Sequence, residues 1–101
     1  MSYIQQLLVE KSLRAKISFI AAIIIEPLLQ AAGGFNMYSP KYLTIIRNLA
    51  TKYQCLLIFD EVATGFGRTG SLFAADQAGL SPDIMVIAKG LTAGYIGMGA
   101  T

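Results

Sequence analysis

The chain has 101 residues, of which 54% are apolar and 14% are charged. A small free-standing domain exposes much surface and normally carries more charge than this, so we expect part of a larger core. The eight Lys and Arg residues are scattered and the net charge is +2, so no basic patch indicates nucleic acid or an anionic membrane as a partner.

The residue types that are missing exclude several kinds of site. The chain has no histidine and a single cysteine, Cys55, which rules out Cys/His zinc sites and Ser-His or Cys-His catalytic pairs within it, and we expect no metal site. Cys55 opens an apolar run and is expected to be buried. The first residues lack a secretory signal, and the apolar stretch 17–29 is broken by Glu26 and Pro27, so a cytoplasmic location is expected.

Apolar periodicity in the first half of the chain predicts a helix, a strand and a second helix. Residues 3–11 have the helical spacing, and residues 21–25 form an unbroken, β-branched run that ends at Glu26. Pro40 opens a helix over residues 41–53, with Ser39 as its N-cap. The apolar positions of that helix are Tyr42, Ile45, Ile46 and Leu49.

The second half predicts more strands. Residues 55–59 form a second buried strand, residues 72–78 a short amphipathic segment, residues 79–82 a turn, residues 84–88 a third strand and residues 95–100 a fourth. Strands that are apolar on both faces and separated by helices predict an α/β fold with a mostly parallel sheet and flanking helices.

Charged residues follow two of these strands directly. Asp60 and Glu61 come after the second strand, and Lys89 comes after the third. Open α/β sheets bind ligands at the carboxyl ends of their strands, so Asp60 and Lys89 are expected to face one pocket, where the lysine is partly desolvated. A pyridoxal cofactor requires an amine that can form a Schiff base and a carboxylate that keeps the pyridine nitrogen protonated.

Two motifs make a family resemblance specific. The signature of class III aminotransferases resembles residues 57–70, LIFDEVATGFGRTG. The lysine segment of the same family resembles residues 82–92, PDIMVIAKGLT. The resemblance implies part of the large domain of a fold-type I transferase that uses pyridoxal 5'-phosphate. It also implies that Lys89 is the catalytic and cofactor-binding lysine, that Asp60 pairs with the pyridine nitrogen and that Val62 packs against the ring. Glu26 falls on the family's strand-end glutamate near the cofactor.

The same resemblance implies what the intact enzyme does and what this chain lacks. The parent would be a homodimer acting on two small molecules, an amino donor and a keto acceptor. The family's phosphate-binding loop, ring-stacking aromatic residue and substrate-binding arginine lie outside this chain. We therefore interpret residues 1–101 as a partial cofactor-binding domain, incomplete at both ends, that is inactive alone or is a catalytically dead remnant.

Within the class, one branch is favoured. Residues 26–40, EPLLQAAGGFNMYSP, place two residues between Glu-Pro and Gln30, and position 63 is alanine where ornithine- and aminobutyrate-type enzymes commonly have glutamine. Both features resemble the branch of biotin biosynthesis, whose amino donor is S-adenosylmethionine. Acetylornithine-, ornithine- and aminobutyrate-type enzymes remain alternatives. Ala31 and Ala93 replace family glycines, and alanine at a positive φ angle would cost roughly 1 kcal/mol.

An unrelated class also fits part of the pattern. A strand that ends in Asp-Glu, as LLIFDE does, occurs in nucleotide hydrolases as a magnesium-binding pair. No Gly-x-x-x-x-Gly-Lys-Ser/Thr loop accompanies it, which makes a magnesium nucleotide hydrolase a remote alternative.

Overall fold

The computed structural model describes residues 20–101. In chain order its elements are strands β1 (Ala22–Ile25), β2 (Leu29–Gln30) and β3 (Asn36–Met37), helix α1 (Pro40–Lys52), strand β4 (Leu56–Asp60), helix α2 (Ala74–Ala78), strand β5 (Ile84–Val86) and a 3-10 helix at Lys89–Leu91. The helix predicted over residues 3–11 lies outside the described residues. The strands predicted at 21–25, 55–59 and 84–88 are confirmed with small changes of boundary.

The central sheet is parallel, as predicted. Its strand order is β1-β4-β5, with Ile25 opposite Phe59 and Asp60 opposite Val86. Because the three strands run in the same direction, their carboxyl ends share one edge. The segments that begin at Glu26, at Glu61 and just before Lys89 therefore all leave the sheet at this edge.

Helix α1 covers one face of the sheet. The Ser39 hydroxyl accepts a hydrogen bond from the Lys41 N–H at 3.3 Å, and Pro40 occupies the first turn, as predicted. The buried residues of the helix include Leu43, which the sequence pattern did not single out, whereas Ile45 is only partly buried. The position of the sheet, and not hydrophobicity alone, decides which apolar side chains of the helix are covered.

The hydrophobic core lies between α1, β4 and the start of α2. Leu57 and Phe59 are both 0% exposed, and Leu43 of the helix packs in the same cluster. The predicted burial of Cys55 is confirmed, at 4% exposure. In contrast, Leu56, whose side chain points to the opposite face, is 48% exposed. Strand side chains alternate between faces, and within residues 20–101 the core lies on one face of the sheet.

The fourth strand predicted over residues 95–100 is wrong. In the part of the chain that the structure describes, this segment forms only an isolated antiparallel bridge between Ile87 and Ala100. Its two glycines weaken a strand, and the Tyr95 side chain, at 92% exposure, packs on no neighbour that would order one. The antiparallel pair β2–β3 was not predicted, because each strand has only two residues. Across residues 20–101, none of the helices has the length and apolar character needed to span a bilayer.

Candidate cofactor site

Lys89 lies just beyond the carboxyl end of β5, as the first residue of the 3-10 helix. Its backbone has a φ angle of 25°, and the turn is closed by the Leu91 N–H, which donates to the Ala88 carbonyl at 2.7 Å. A non-glycine residue at positive φ is uncommon, and such strained positions cluster at functional sites. The side chain is exposed, so the partial desolvation expected for this lysine is wrong for the residues described.

A cavity of about 310 Å³ lies beside Lys89. The loop that follows β4 forms most of its wall, and the lining residues are Val62, Ala63, Gly65, Phe66, Gly67, Arg68, Lys89 and Gly90. A Cβ atom added at Gly90 would lie 2.8 Å from the Cβ and Cδ2 atoms of Phe66. This approach is too close for any residue but glycine, so Phe66 packs directly on the backbone next to Lys89.

Asp60 ends β4 at the same edge of the sheet. Its Oδ1 atom accepts a hydrogen bond from the Val62 N–H at 3.1 Å. Asp60 lines a second cavity of about 350 Å³, together with Glu26, Gln30, Gly33 and the end of β1. The structure thus places Lys89 and Val62 at one cavity and Asp60 and Glu26 at another, so the single pocket expected for Asp60 and Lys89 is divided into two in the described residues. Val62 is common to both, because its N–H donates to Asp60 and it lines the Lys89 cavity.

Glu26 orders the turn that follows β1. Its Oε2 atom accepts from the Ala31 N–H at 2.9 Å and its Oε1 atom from the Ala32 N–H at 3.3 Å. The Tyr38 hydroxyl donates to the backbone carbonyl of Glu26. Burial raises the pKa of Tyr38 to about 12, so at neutral pH the hydroxyl keeps the proton that this bond requires. Glu26 is therefore held by its own loop at the edge of the Asp60 cavity.

Glu61 does not accompany Asp60 at the edge of the sheet. Its side chain is 0% exposed and accepts three hydrogen bonds, from the Thr64 hydroxyl at 2.9 Å, the Ala74 N–H at 2.6 Å and the Ala75 N–H at 3.2 Å. The sequence contained a signal for this placement. Side chains alternate along a strand, so position 61 shares the face of the buried Leu57 and Phe59.

The Lys89 amine and the Asp60 carboxylate fit pyridoxal 5'-phosphate in their chemistry. Such a cofactor needs a primary amine for its aldehyde and a carboxylate for its ring nitrogen. Lys89 and Asp60 provide both at the ends of paired strands, and within residues 20–101 the Lys89 ammonium forms no ion pair that would occupy it. Among the same residues, no group of three or more His, Cys, Asp or Glu side chains could hold a metal ion.

Comparison with known proteins agrees with this chemistry. The sequence profile of the family Aminotransferase class-III matches residues 2–101. The chain is 54% identical over 82 residues to adenosylmethionine-8-amino-7-oxononanoate aminotransferase of Mycobacterium leprae, covering 81% of this chain and 19% of the relative. The chain therefore spans about a fifth of the length of the curated relatives that it matches.

Solved structures show the same fold. An (S)-enantioselective omega-transaminase from Thermomicrobium roseum superposes with a TM-score of 0.83 at 47% identity, over 90% of this chain and 20% of that one. Ornithine delta-aminotransferase of Plasmodium falciparum superposes with a TM-score of 0.85 at 32% identity, over 98% of this chain and 25% of that one. The predicted fold class, an α/β part of the large domain of a fold-type I transferase, is confirmed. This chain belongs to the class III aminotransferase family.

Proposed function

We propose that Lys89 is the lysine that binds pyridoxal 5'-phosphate in a transaminating enzyme, with Asp60 and Val62 as the other cofactor-binding residues of this chain. The observation that carries the proposal is the pairing of β4 with β5. Asp60 lies opposite Val86, and Lys89 follows three residues later at the same edge of the sheet. A carboxylate and an amine presented by adjacent parallel strands can act on one small molecule.

Each residue has a distinct role in this proposal. The cofactor, when bound, supplies an electron sink for the substrate carbon that loses a proton. The Asp60 carboxylate keeps the ring nitrogen protonated, and Val62 packs against the ring. The Lys89 amine would hold the cofactor through its aldehyde carbon and would act as general acid and base, moving a proton between the substrate carbon and the cofactor.

For the longer enzyme, we propose amino transfer from S-adenosylmethionine to 8-amino-7-oxononanoate, in biotin biosynthesis. The similarity to the adenosylmethionine-8-amino-7-oxononanoate aminotransferase of Mycobacterium leprae supports this choice. Ala63 and the two residues between Pro27 and Gln30 support it from the sequence. The proposal includes a cytoplasmic homodimer, with no nucleic acid or membrane partner. This chain, with a fifth of the relatives' length, is expected to bind the cofactor weakly and to turn over little or nothing alone.

A second candidate stays within the same class. The superposition on ornithine delta-aminotransferase, with a TM-score of 0.85, is as close as that on the omega-transaminase. An ornithine-, acetylornithine- or aminobutyrate-type activity would use the same Lys89 and Asp60. Family membership removes the magnesium nucleotide hydrolase alternative, because the profile match covers the Asp-Glu motif on which that alternative depended.

The proposal is tested by adding pyridoxal 5'-phosphate to the chain and recording the Schiff-base absorbance band. Lys89→Ala should lose the saturable part of this band, because it removes the one amine that residues 20–101 place at the Val62 cavity. Lys41→Ala, at an exposed position on α1, serves as the matched control and should behave as wild type. A spectrum of Lys89→Ala that equals the wild-type spectrum would contradict the proposed role of Lys89.

A further inference from the structure

Glu61 is a fully buried carboxylate that the proposed chemistry does not use. Its three hydrogen bonds join the end of β4 to two different places, the Thr64 side chain and the first turn of α2 at Ala74 and Ala75. Hydrogen bonds to an ionised acceptor are about twice as strong as neutral ones. The side chain therefore fixes where the loop after β4 runs.

The turn from Glu61 to Gly65 is tight. The Gly65 N–H donates to the Glu61 carbonyl at 2.9 Å, and a Cβ atom at Gly65 would lie 3.0 Å from that carbonyl oxygen and 3.4 Å from the Phe73 ring. Gly65 is thus held between Glu61 and Phe73, with little room to move. The position of Phe66, the next residue, follows from this turn.

Phe66 packs between the turn that ends at Gly65 and the segment that contains Lys89. Its backbone has a φ angle of 62°, and its ring packs edge-on against Phe73 with centroids 5.5 Å apart. On the other side, Phe66 contacts Gly90 so closely that a Cβ atom there would be 2.8 Å away. A shift of the loop would therefore push on Gly90 and on Lys89, whose own φ angle of 25° leaves its backbone little freedom.

We propose that Glu61 is a positioning residue for the Lys89 amine. The carboxylate holds the turn that ends at Gly65, the turn places Phe66, and Phe66 fixes the backbone at Gly90 and so the direction of the Lys89 side chain. This inference rests on the proposed function, in which the Lys89 amine reacts with the cofactor aldehyde. Glu61 itself touches neither.

The test measures how selectively Lys89 reacts. Pyridoxal 5'-phosphate is added to the full chain, where an amine and the aldehyde lose water to form a C=N bond. Borohydride then delivers hydride to the imine carbon and leaves a stable secondary amine. Peptide mapping gives the ratio of modification at Lys89 to that at Lys41, an exposed lysine of the same molecule. General unfolding would bring this ratio toward one, and circular dichroism reports it separately.

The main variant is Glu61→Gln, which keeps the shape of the side chain but turns one acceptor oxygen into an NH₂ donor facing N–H and O–H groups. We expect the ratio to fall by about tenfold, since misplacing a reacting group by about 1 Å can cost up to roughly a hundredfold in rate. Asp76→Asn is the matched control. The Asp76 carboxylate also accepts a hydrogen bond from a backbone N–H at the start of α2, that of Phe73, at 3.1 Å. Because Asp76 is exposed, its substitution should leave the ratio unchanged.

Two further variants keep the test decisive if Glu61→Gln does not fold. Thr64→Val removes one hydrogen bond to Glu61 and leaves the Glu61 side chain itself unchanged. Gly90→Ala disturbs the contact between Phe66 and Gly90. Both should lower the ratio while circular dichroism stays that of wild type. Folded variants with the wild-type ratio would overturn the positioning role of Glu61. A wild-type chain that modifies Lys89 no better than Lys41 would instead overturn the proposed function, and this inference with it.

Discussion

At the scale of single residues, two family glycines are replaced by alanine with different structural consequences. Ala93 has a φ angle of 54°, in the left-handed region, whereas Ala31 is not among the residues with positive φ. The N–H of Ala31 is also held by Glu26. Only the replacement at position 93 therefore strains the backbone, in the segment that follows the candidate lysine.

We predict that Ala93→Gly stabilises the chain by about 1 kcal/mol, because glycine adopts the left-handed conformation without a steric penalty. The comparison is Ala31→Gly, which should destabilise by about 0.4–1 kcal/mol, since there glycine only adds entropy to the unfolded chain. Urea unfolding followed by circular dichroism measures both. Equal effects of the two substitutions would show that the φ angle of Ala93 costs nothing.

At the scale of secondary structure elements, Asp83 links the start of β5 to β4 and α1. Its Oδ2 atom accepts from the Leu57 N–H at 2.7 Å and from the Arg47 guanidinium at 2.9 Å, and its own N–H donates to the Leu57 carbonyl at 2.8 Å. The pKa of the Asp83 carboxyl lies below its ordinary value of 3.8. The hydrogen bond from the Leu57 N–H has the largest effect, and the bond from Arg47 has the second largest. The ionised form is thus favoured in the folded chain.

This shift predicts a loss of stability in acid. A lowered pKa in the folded state contributes stability above the unfolded value of 3.8, and that contribution disappears as the pH falls through the folded pKa. Asp83→Asn should therefore flatten the dependence of the unfolding midpoint on pH below about 4. Arg47→Met should reduce that dependence without removing it, because the Leu57 N–H remains. A steep acid limb that persists in Asp83→Asn would contradict this assignment.

At the scale of the whole molecule, the described residues build their core on one face of the sheet. Leu57 and Phe59 are buried against α1, while Ile24 and Leu56, on the opposite face, are 63% and 48% exposed. Parallel sheets are normally covered on both faces, and the relatives of known structure are about four to five times longer than this chain, which covers 20–25% of them. Stability should therefore depend very unequally on the two faces.

Neighbouring leucines of β4 test this inequality with the same substitution. Leu57→Ala should destabilise the chain by about 2–5 kcal/mol, since a fully buried side chain leaves a cavity. Leu56→Ala should cost less than about 1 kcal/mol, because nearly half of that side chain is already in water. Urea unfolding of the two variants side by side gives the comparison. Similar losses would mean that residues beyond those described cover the Leu56 face.

Local sequence patterns predicted the three strands of the parallel sheet, the main helix and the edge of the sheet at which Asp60 and Lys89 lie. These features depend on local periodicity, on the cap at Ser39 and on the direction of parallel strands, all of which are written in short stretches of chain. The motifs around Asp60 and Lys89 also identified the family, and with it the cofactor, which the strand pattern alone left open between an aminotransferase and a nucleotide hydrolase.

Which neighbour each side chain meets is set by long-range packing, which short stretches of sequence do not reveal. In the folded chain Glu61 is buried in the core, Lys89 is exposed, and Lys89 and Asp60 line separate cavities. The predicted fourth strand is reduced to one bridge. The physical reason is that burial and pairing depend on groups distant in sequence. The contact between Phe66 and Gly90 joins two loops that no local pattern connects, and it brings the Phe66 side chain against the residue that follows Lys89.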